Sequence, residues 1–109
     1  MSFYLVRAHL RPELREELCR SLKRGDFRGL EPFGREIDRC LKAIRVQPDG
    51  ACTWEEEDYC TPPLAAERAA VLDRFFEGIR VESVKKGEGW EKIAELPRLF
   101  PELNAGNGK

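Results

Sequence analysis

Residues 54–60, Trp-Glu-Glu-Glu-Asp-Tyr-Cys, hold the densest set of chemically active side chains in this sequence. In a β-strand successive side chains point to opposite faces, so Glu55 and Glu57 share one face while Glu56 and Asp58 share the other. The four acids therefore form two pairs instead of one cluster. We interpret them first as a solvated strand whose carboxylates form ion pairs with a neighbouring strand.

Two other functions are compatible with the same residues. A divalent-cation site is the weaker alternative, because no Asp-x-Asp loop supplies the further oxygen ligands that a hard cation needs. The stretch could also line a ligand pocket. The candidate ligand-binding residues are Trp54, Glu56, Asp58 and Cys60.

Cys60 precedes a predicted helix, whose N-terminal end favours a thiolate. The negative charges of Glu57 and Asp58 oppose that effect, so we expect Cys60 to be a structural thiol and not a nucleophile.

Arg7 and His9 form a second candidate site on the first predicted strand, where they share one face. His9 is the only histidine in the sequence. Its ordinary pKa near neutrality suits an acid/base catalyst, and Arg7 could bind a carboxylate or phosphate through two hydrogen bonds. If the protein is an enzyme, these two residues are the expected catalytic pair, in a cleft beneath the glycine- and proline-containing segment 26–37.

No cofactor or phosphate-binding motif is found. The segment 85–89, Lys-Lys-Gly-Glu-Gly, lacks the spacing of either glycine-rich phosphate-binding fingerprint, and its glutamate would repel phosphate. We expect a flexible connector there, and we expect no cofactor and no dedicated metal.

Charge and cysteine content limit the class of protein. The 109 residues include 19 basic and 20 acidic side chains, so the formal net charge is −1. This balance disfavours nucleic acid and anionic membranes as partners. No apolar run is long enough to span a bilayer, and we expect a cytoplasmic protein. The four cysteines have no Cys-x-x-Cys spacing, so we expect free thiols in a reducing compartment.

The apolar periodicity predicts a single α+β domain over residues 1–103, followed by a disordered tail at 104–109. The predicted elements are a strand at 3–10, a helix from Pro12 to Gly25, a loop at 26–37, strands at 40–46 and 51–60 joined by a turn, a helix from Thr61 to Gly78, a strand at 79–84, a short helix at 90–96 and an apolar hook at 99–103.

The turn Gln-Pro-Asp-Gly at 47–50 predicts a hairpin between the second and third strands. If Gln47 faces Gly50, Lys42 lies opposite Glu55 and Arg39 lies opposite Asp58. A slip of one residue would change these partners.

This order of strands and helices resembles that of ferredoxin-like domains, with a βαββαβ antiparallel sheet and two helices on one face. The resemblance covers residues 1–84 and implies a sheet with one open face, which small domains of this kind often bury by forming dimeric α/β barrels. Phe3, Leu5 and Trp54 are the apolar residues expected there. We therefore expect a homodimer that binds a small anionic ligand or a protein partner, with the enzyme and metal-binding functions as alternatives.

Overall fold

The computed structural model describes residues 2–104, and these residues form a four-stranded antiparallel sheet with several helices. The strands are β1 (Ser2–Leu10), β2 (Arg45–Val46), β3 (Cys52–Asp58) and β4 (Phe76–Val84). Their order in the sheet is β2-β3-β1-β4, and all neighbours are antiparallel. The predicted α+β class is confirmed.

Five helices accompany the sheet in the described part of the chain. They are α1 (Arg15–Arg24), α2 (Gly34–Lys42), α3 (residues 65–75), α4 (Glu88–Lys92) and α5 (Pro101–Asn104). The helix α3 is π-helical at Arg68–Leu72, between the α-helical turns Ala65–Glu67 and Asp73–Phe75. Within residues 2–104, no helix is both long and apolar enough to cross a lipid bilayer.

The sequence prediction of α1 is confirmed. A 3₁₀ turn at Pro12–Leu14 leads into the helix, and Leu18 and Leu22 on one of its sides are fully buried. Gly25 ends the helix in the left-handed conformation, with φ of 74°, which glycine adopts without steric cost.

The predictions of a loop at 26–37 and a strand at 40–46 are wrong in part, because the helix α2 occupies Gly34–Lys42 and leaves only Arg45–Val46 as a strand. Ile37, Cys40 and Leu41 are fully buried at helical spacing, and this amphipathic pattern outweighs the β-branched residues that follow. The first residue of the helix, Gly34, has to be glycine because a Cβ there would lie 2.3 Å from the Phe27 carbonyl oxygen. The loop therefore ends where the backbone packs too closely for any side chain.

The predicted ion pairs across the hairpin are wrong, because both basic residues belong to α2. Lys42 pairs with Asp38 at 3.0 Å, and Arg39 pairs with Glu36 at 2.9 Å. Both partners lie within the same helix.

The predicted turn is present, but the hairpin register differs by one residue. Gln47 donates its N–H to the Ala51 carbonyl at 2.8 Å, and Arg45 faces Thr53. Gly50, with φ of 90°, is an additional loop residue that a two-residue turn would not need. The strand β2 is only two residues long, so it pairs with only the beginning of β3.

The second predicted helix ends earlier than expected, because β4 begins at Phe76. Gly78, which was expected to end the helix, lies within β4 with φ of 64°. The pairing of β4 with β1 shifts between Arg7 and His9, next to this glycine. The glycine therefore produces a β-bulge and not a helix cap.

The hydrophobic core lies between the sheet and the helices, and it includes Trp54. Trp54 faces Val6 across the β1–β3 ladder, is fully buried, and packs against Phe76 with ring centroids 5.2 Å apart. The expectation that it lies on the open face of the sheet, available to a ligand, is therefore wrong.

The C-terminal segment covers part of the open face and one edge of the sheet. At its start, α4 packs on β1 and β3, where a Cβ at Gly89 would lie 3.3 Å from the Leu5 side chain. Further on, the Pro97 carbonyl accepts the Val46 N–H at 2.9 Å. Phe100 is then fully buried in the core. The predicted short helix is present, but it spans Glu88–Lys92 instead of 90–96. The predicted disordered tail begins at Asn104, which instead ends α5. Residues 105–109 lie outside the described part of the chain.

Candidate functional site

The acidic end of β3 is buried, so the expectation of a solvated strand is wrong. Glu55, Glu56 and Asp58 are 4%, 0% and 3% exposed. The strand β3 is an interior strand with β1 on one side and β2 and α2 on the other. Buried carboxylates need hydrogen-bond partners, and each of these acids has a different set.

Glu55 is held by the backbone of the 85–89 segment and the start of α4. Its carboxylate oxygens accept N–H groups from Gly87 at 2.8 Å, Gly89 at 2.7 Å and Trp90 at 3.2 Å. Hydrogen bonds from backbone amides to an ionised carboxylate are strong. The segment predicted to be a flexible connector is therefore attached to the sheet through Glu55.

The helix α2 continues the hydrogen bonding of β3 beyond the short β2. A Glu36 carboxylate oxygen accepts the Glu57 N–H at 3.2 Å, and the Cys40 thiol donates to the Glu55 carbonyl at 3.1 Å. Both groups belong to the edge of β3 that β2 does not reach. The helix thus brings Glu36 next to the acidic end of the strand.

Glu56 is the most perturbed acid of the stretch. One of its carboxyl oxygens accepts the Trp54 indole N–H at 2.9 Å, whereas the other is buried without a hydrogen-bond partner. Burial raises the pKa of Glu56 to about 8, despite the indole bond, and the charges of Glu67, Glu36 and Asp58 raise it further. The side chain is therefore a neutral carboxylic acid at pH 7.

Asp58 and Glu67 form a carboxyl pair between the end of β3 and α3. Burial opposes ionisation of Asp58, but N–H groups of Leu64, at 2.6 Å, and Cys60, at 3.0 Å, together with Glu67, hold its pKa below the usual value. Burial, together with the hydrogen bond to Asp58 and its charge, raises the pKa of Glu67 to about 7. Asp58 is thus the ionised member of the pair.

Leu64, which Asp58 binds, has a backbone conformation that bulky residues rarely adopt. Its φ is 64°, in the left-handed region, and its side chain is fully buried. The hydrogen bond from its N–H to Asp58 helps to maintain this conformation at the start of α3. Asp58 is therefore partly a structural residue.

A cavity of about 250 Å³ opens beside this pair. Four carboxylate residues line it, namely Glu36, Glu57, Asp58 and Glu67, and the described residues of its wall include no lysine or arginine. The apolar part of the wall includes Pro32, Phe33 and Ala66. The 26–37 segment thus borders a cavity, but His9 does not line it.

Three potential metal ligands lie together at this cavity. A carboxylate oxygen of Asp58, the Cys60 sulfur and a carboxylate oxygen of Glu67 lie within 4.8 Å of one another. The Ala66 backbone lowers the pKa of the Cys60 thiol, but burial and the charge of Asp58 outweigh that effect and raise it. The thiol is therefore protonated near neutral pH, which makes it a weak metal ligand and a weak nucleophile.

Arg7 and His9 are not part of this cavity. The Arg7 guanidinium donates to the Gln47 side chain at 2.7 Å and forms an ion pair with Asp49, so it is engaged by the hairpin turn. His9 is exposed. The acidic end of β3 pairs with the beginning of β1 at Ser2, whereas these two residues lie toward its other end.

Sequence reasoning found Glu56, Asp58 and Cys60 but missed Glu36 and Glu67. Glu36 lies in a segment interpreted as a loop, although apolar residues at 37, 40, 41 and 44 follow helical spacing. Glu67 lies in a helix that was predicted, seven residues after Cys60. No local pattern indicates that its side chain reaches Asp58.

Comparisons of the sequence and the fold with described protein families, curated proteins and solved structures found no match. The function has to be inferred from the geometry of the cavity.

Proposed function

We propose that this protein is a small-molecule-binding α+β domain whose acidic cavity accepts a compact organic cation, such as a protonated amine or a guanidinium group. The observation that carries the proposal is the lining of the cavity, with four carboxylate residues against an apolar wall. A cationic head group would form charge-assisted hydrogen bonds with the carboxylates. Its hydrocarbon part would contact Phe33 and Ala66.

The electrostatics of the surrounding acids support a positively charged ligand. Glu56 and Glu67 both have raised pKa values because the negative charges of neighbouring carboxylates add to the effect of burial. A bound cation would favour the ionised form of these groups and so lower their pKa. Arg39 pairs with Glu36 beside the cavity and neutralises only part of the negative charge.

A divalent metal ion is the second candidate ligand, because the ligand atoms of Asp58, Cys60 and Glu67 lie close together. Two features favour the organic cation. One Asp58 oxygen already accepts two backbone N–H groups, and the Cys60 thiol is protonated at neutral pH. Neither group would be a strong metal ligand without rearrangement.

Calorimetric titration tests the proposal with small alkylamines, diamines and guanidinium as probes, and with zinc, manganese, magnesium and calcium for comparison. We expect saturable binding of an amine or guanidinium probe to the wild type and at least tenfold weaker binding to Glu67→Gln and Glu57→Gln. Glu95→Gln is the matched control because Glu95 is exposed and does not line the cavity. Stoichiometric binding of a metal ion with no binding of organic cations would contradict the proposal.

The ferredoxin-like arrangement is also a proposal, supported by the order of the strands. The first half of the chain contributes β1 and β2, and β3 lies between them. The second half contributes β3 and β4, and β1 lies between them, as in a ferredoxin-like sheet. A cytoplasmic location is proposed on the basis of four cysteines that are all unpaired.

Catalysis by His9 and Arg7 gains no support from the geometry, because Arg7 is engaged by Asp49 and Gln47.

A further inference from the structure

The outer edge of β4 has no partner within residues 2–104. β4 (Phe76–Val84) pairs with β1 along one side only. At the opposite edge of the sheet, residues 97–99 of the C-terminal segment cover β2 through the Val46–Pro97 hydrogen bond and the Arg45–Arg98 bridge. An uncovered edge presents a row of backbone N–H and C=O groups that can pair with another strand.

The side chains at the middle of β4 are exposed. Val81 is 39% exposed. Within the described residues, Val81 and Tyr59 are the two exposed large hydrophobic side chains. Arg80 and Glu82 flank it and point to the open face of the sheet. Arg80 forms no ion pair within the described residues, and Glu82 reaches only Lys92, at 3.5 Å.

We propose that two copies of this chain pair through β4 in antiparallel orientation, with a twofold axis at Val81. Arg80 of each copy then lies opposite Glu82 of the other, and the two Val81 side chains meet at the axis. Opposite charges and apolar pairs across antiparallel strands are stabilising. The dimer contains a continuous eight-stranded sheet in which the open faces of both copies lie on the same side.

The charges of β4 select this register over its neighbours. A twofold axis at Arg80 or at Glu82 would place two like charges directly opposite each other, which is destabilising. The bulge at Gly78, where φ is 64°, restricts regular pairing to residues 79–84. The interface is therefore short, and we expect a dimer that dissociates on dilution. The inference does not depend on the ligand of the acidic cavity.

Sedimentation equilibrium over a range of protein concentrations tests the inference. We expect a monomer–dimer equilibrium for the wild type and an at least tenfold weaker dimer for Arg80→Glu, in which two carboxylates would face each other across the interface. The double variant Arg80→Glu/Glu82→Arg should restore dimerisation, because it exchanges the two charges. Arg20→Glu, at an exposed position of α1, is the control for a charge reversal elsewhere and should dimerise like the wild type.

An independent measurement locates the interface. In a sample that mixes isotope-labelled and unlabelled chains, nuclear Overhauser effects between copies should connect Val81 with Val81 and Ile79 with Ser83. A monomer at all concentrations, or a dimer whose affinity Arg80→Glu leaves unchanged, would overturn the inference. Contacts between copies that involve Leu5 instead of β4 would overturn it as well.

Discussion

Glu56 illustrates how burial can change the chemistry of one carboxyl group. Its indole hydrogen bond satisfies one oxygen, and the second oxygen is buried without a partner in the described chain. Ionisation of such a group costs free energy in the folded state, because the charge is buried and lacks full hydrogen bonding. Residues of this kind are frequent at binding and catalytic sites, where the loss of stability is tolerated in exchange for function.

The raised pKa of Glu56 predicts a specific dependence of stability on pH. The folded state keeps its proton up to about pH 8, whereas the unfolded chain releases it near the ordinary value of 4.5. The contribution of Glu56 to stability is therefore fully present at acidic pH and is lost as the pH rises through about 8. Burial is the main cause of the raised pKa of Glu56, and the charges of Glu67, Glu36 and Asp58 add to it.

Chemical denaturation of Glu56→Gln at several pH values checks this prediction, since glutamine cannot ionise. Between about pH 5 and pH 9 we expect the variant to gain stability relative to the wild type, by on the order of 3 kcal/mol. Glu95→Gln should follow the wild-type profile. Parallel profiles for Glu56→Gln and the wild type would show that Glu56 has an ordinary pKa.

Among the secondary-structure elements, α4 depends most directly on a single side chain. Three backbone N–H groups at its start bind the Glu55 carboxylate, which is buried beneath it. Hydrogen bonds to a charged group contribute roughly 1.5–3 kcal/mol each to stability, net of the hydrogen bonds to water that they replace. The helix is therefore attached to the sheet by an ionic group and not only by apolar contacts.

Glu55→Gln should consequently lower the free energy of unfolding by about 1–3 kcal/mol, because the neutral amide is a weaker acceptor and has only one oxygen. Glu57→Gln is the matched control on the same face of β3, where the carboxylate accepts only the Tyr59 hydroxyl, and should cost less than about 1 kcal/mol. Urea unfolding of both variants measures the difference. Equal, small losses would indicate a solvated strand, as the sequence alone had suggested.

The elements could be predicted from the sequence only where local patterns determine them. The helix α1 and the turn at 47–50 have strong local signals, including the leucines of α1 and the Pro-Asp-Gly of the turn. The position of Glu55 could not be predicted, since its partners lie more than 30 residues away in a segment without a recognisable motif. For the same reason the candidate site was found on β3 but not on α2 and α3.

At the scale of the whole molecule, the C-terminal segment makes the sheet asymmetric. It covers part of the open face with α4 and the β2 edge with residues 97–99, and it leaves the β4 edge uncovered. The sequence predicted a homodimer through Phe3 and Leu5 because the segment could not be placed. α4 packs near Leu5, and the dimer that we propose uses the β4 edge instead.

The four cysteines allow a further prediction for the intact protein. All four are unpaired, and three of them are buried. Burial raises the pKa of Cys52 to about 11 and that of Cys40 well above its usual value, which suppresses their reactivity. We expect four thiols to react in denaturant. In the native state only Cys60, the one thiol that is not buried, should react, and more slowly than in the unfolded chain because its pKa is raised. A titration below four that reductant restores would instead reveal a disulfide.

The hydrogen bond between Trp54 and Glu56 gives the protein an intrinsic optical reporter. Indole emission responds to a nearby carboxyl group, and Trp54 is fully buried, so solvent does not mask this response. In a Trp90→Phe background, Trp54 would be the only tryptophan, and the pH dependence of its fluorescence would follow the ionisation of Glu56 without any added label. A cation that enters the neighbouring cavity would shift the midpoint of this titration to lower pH.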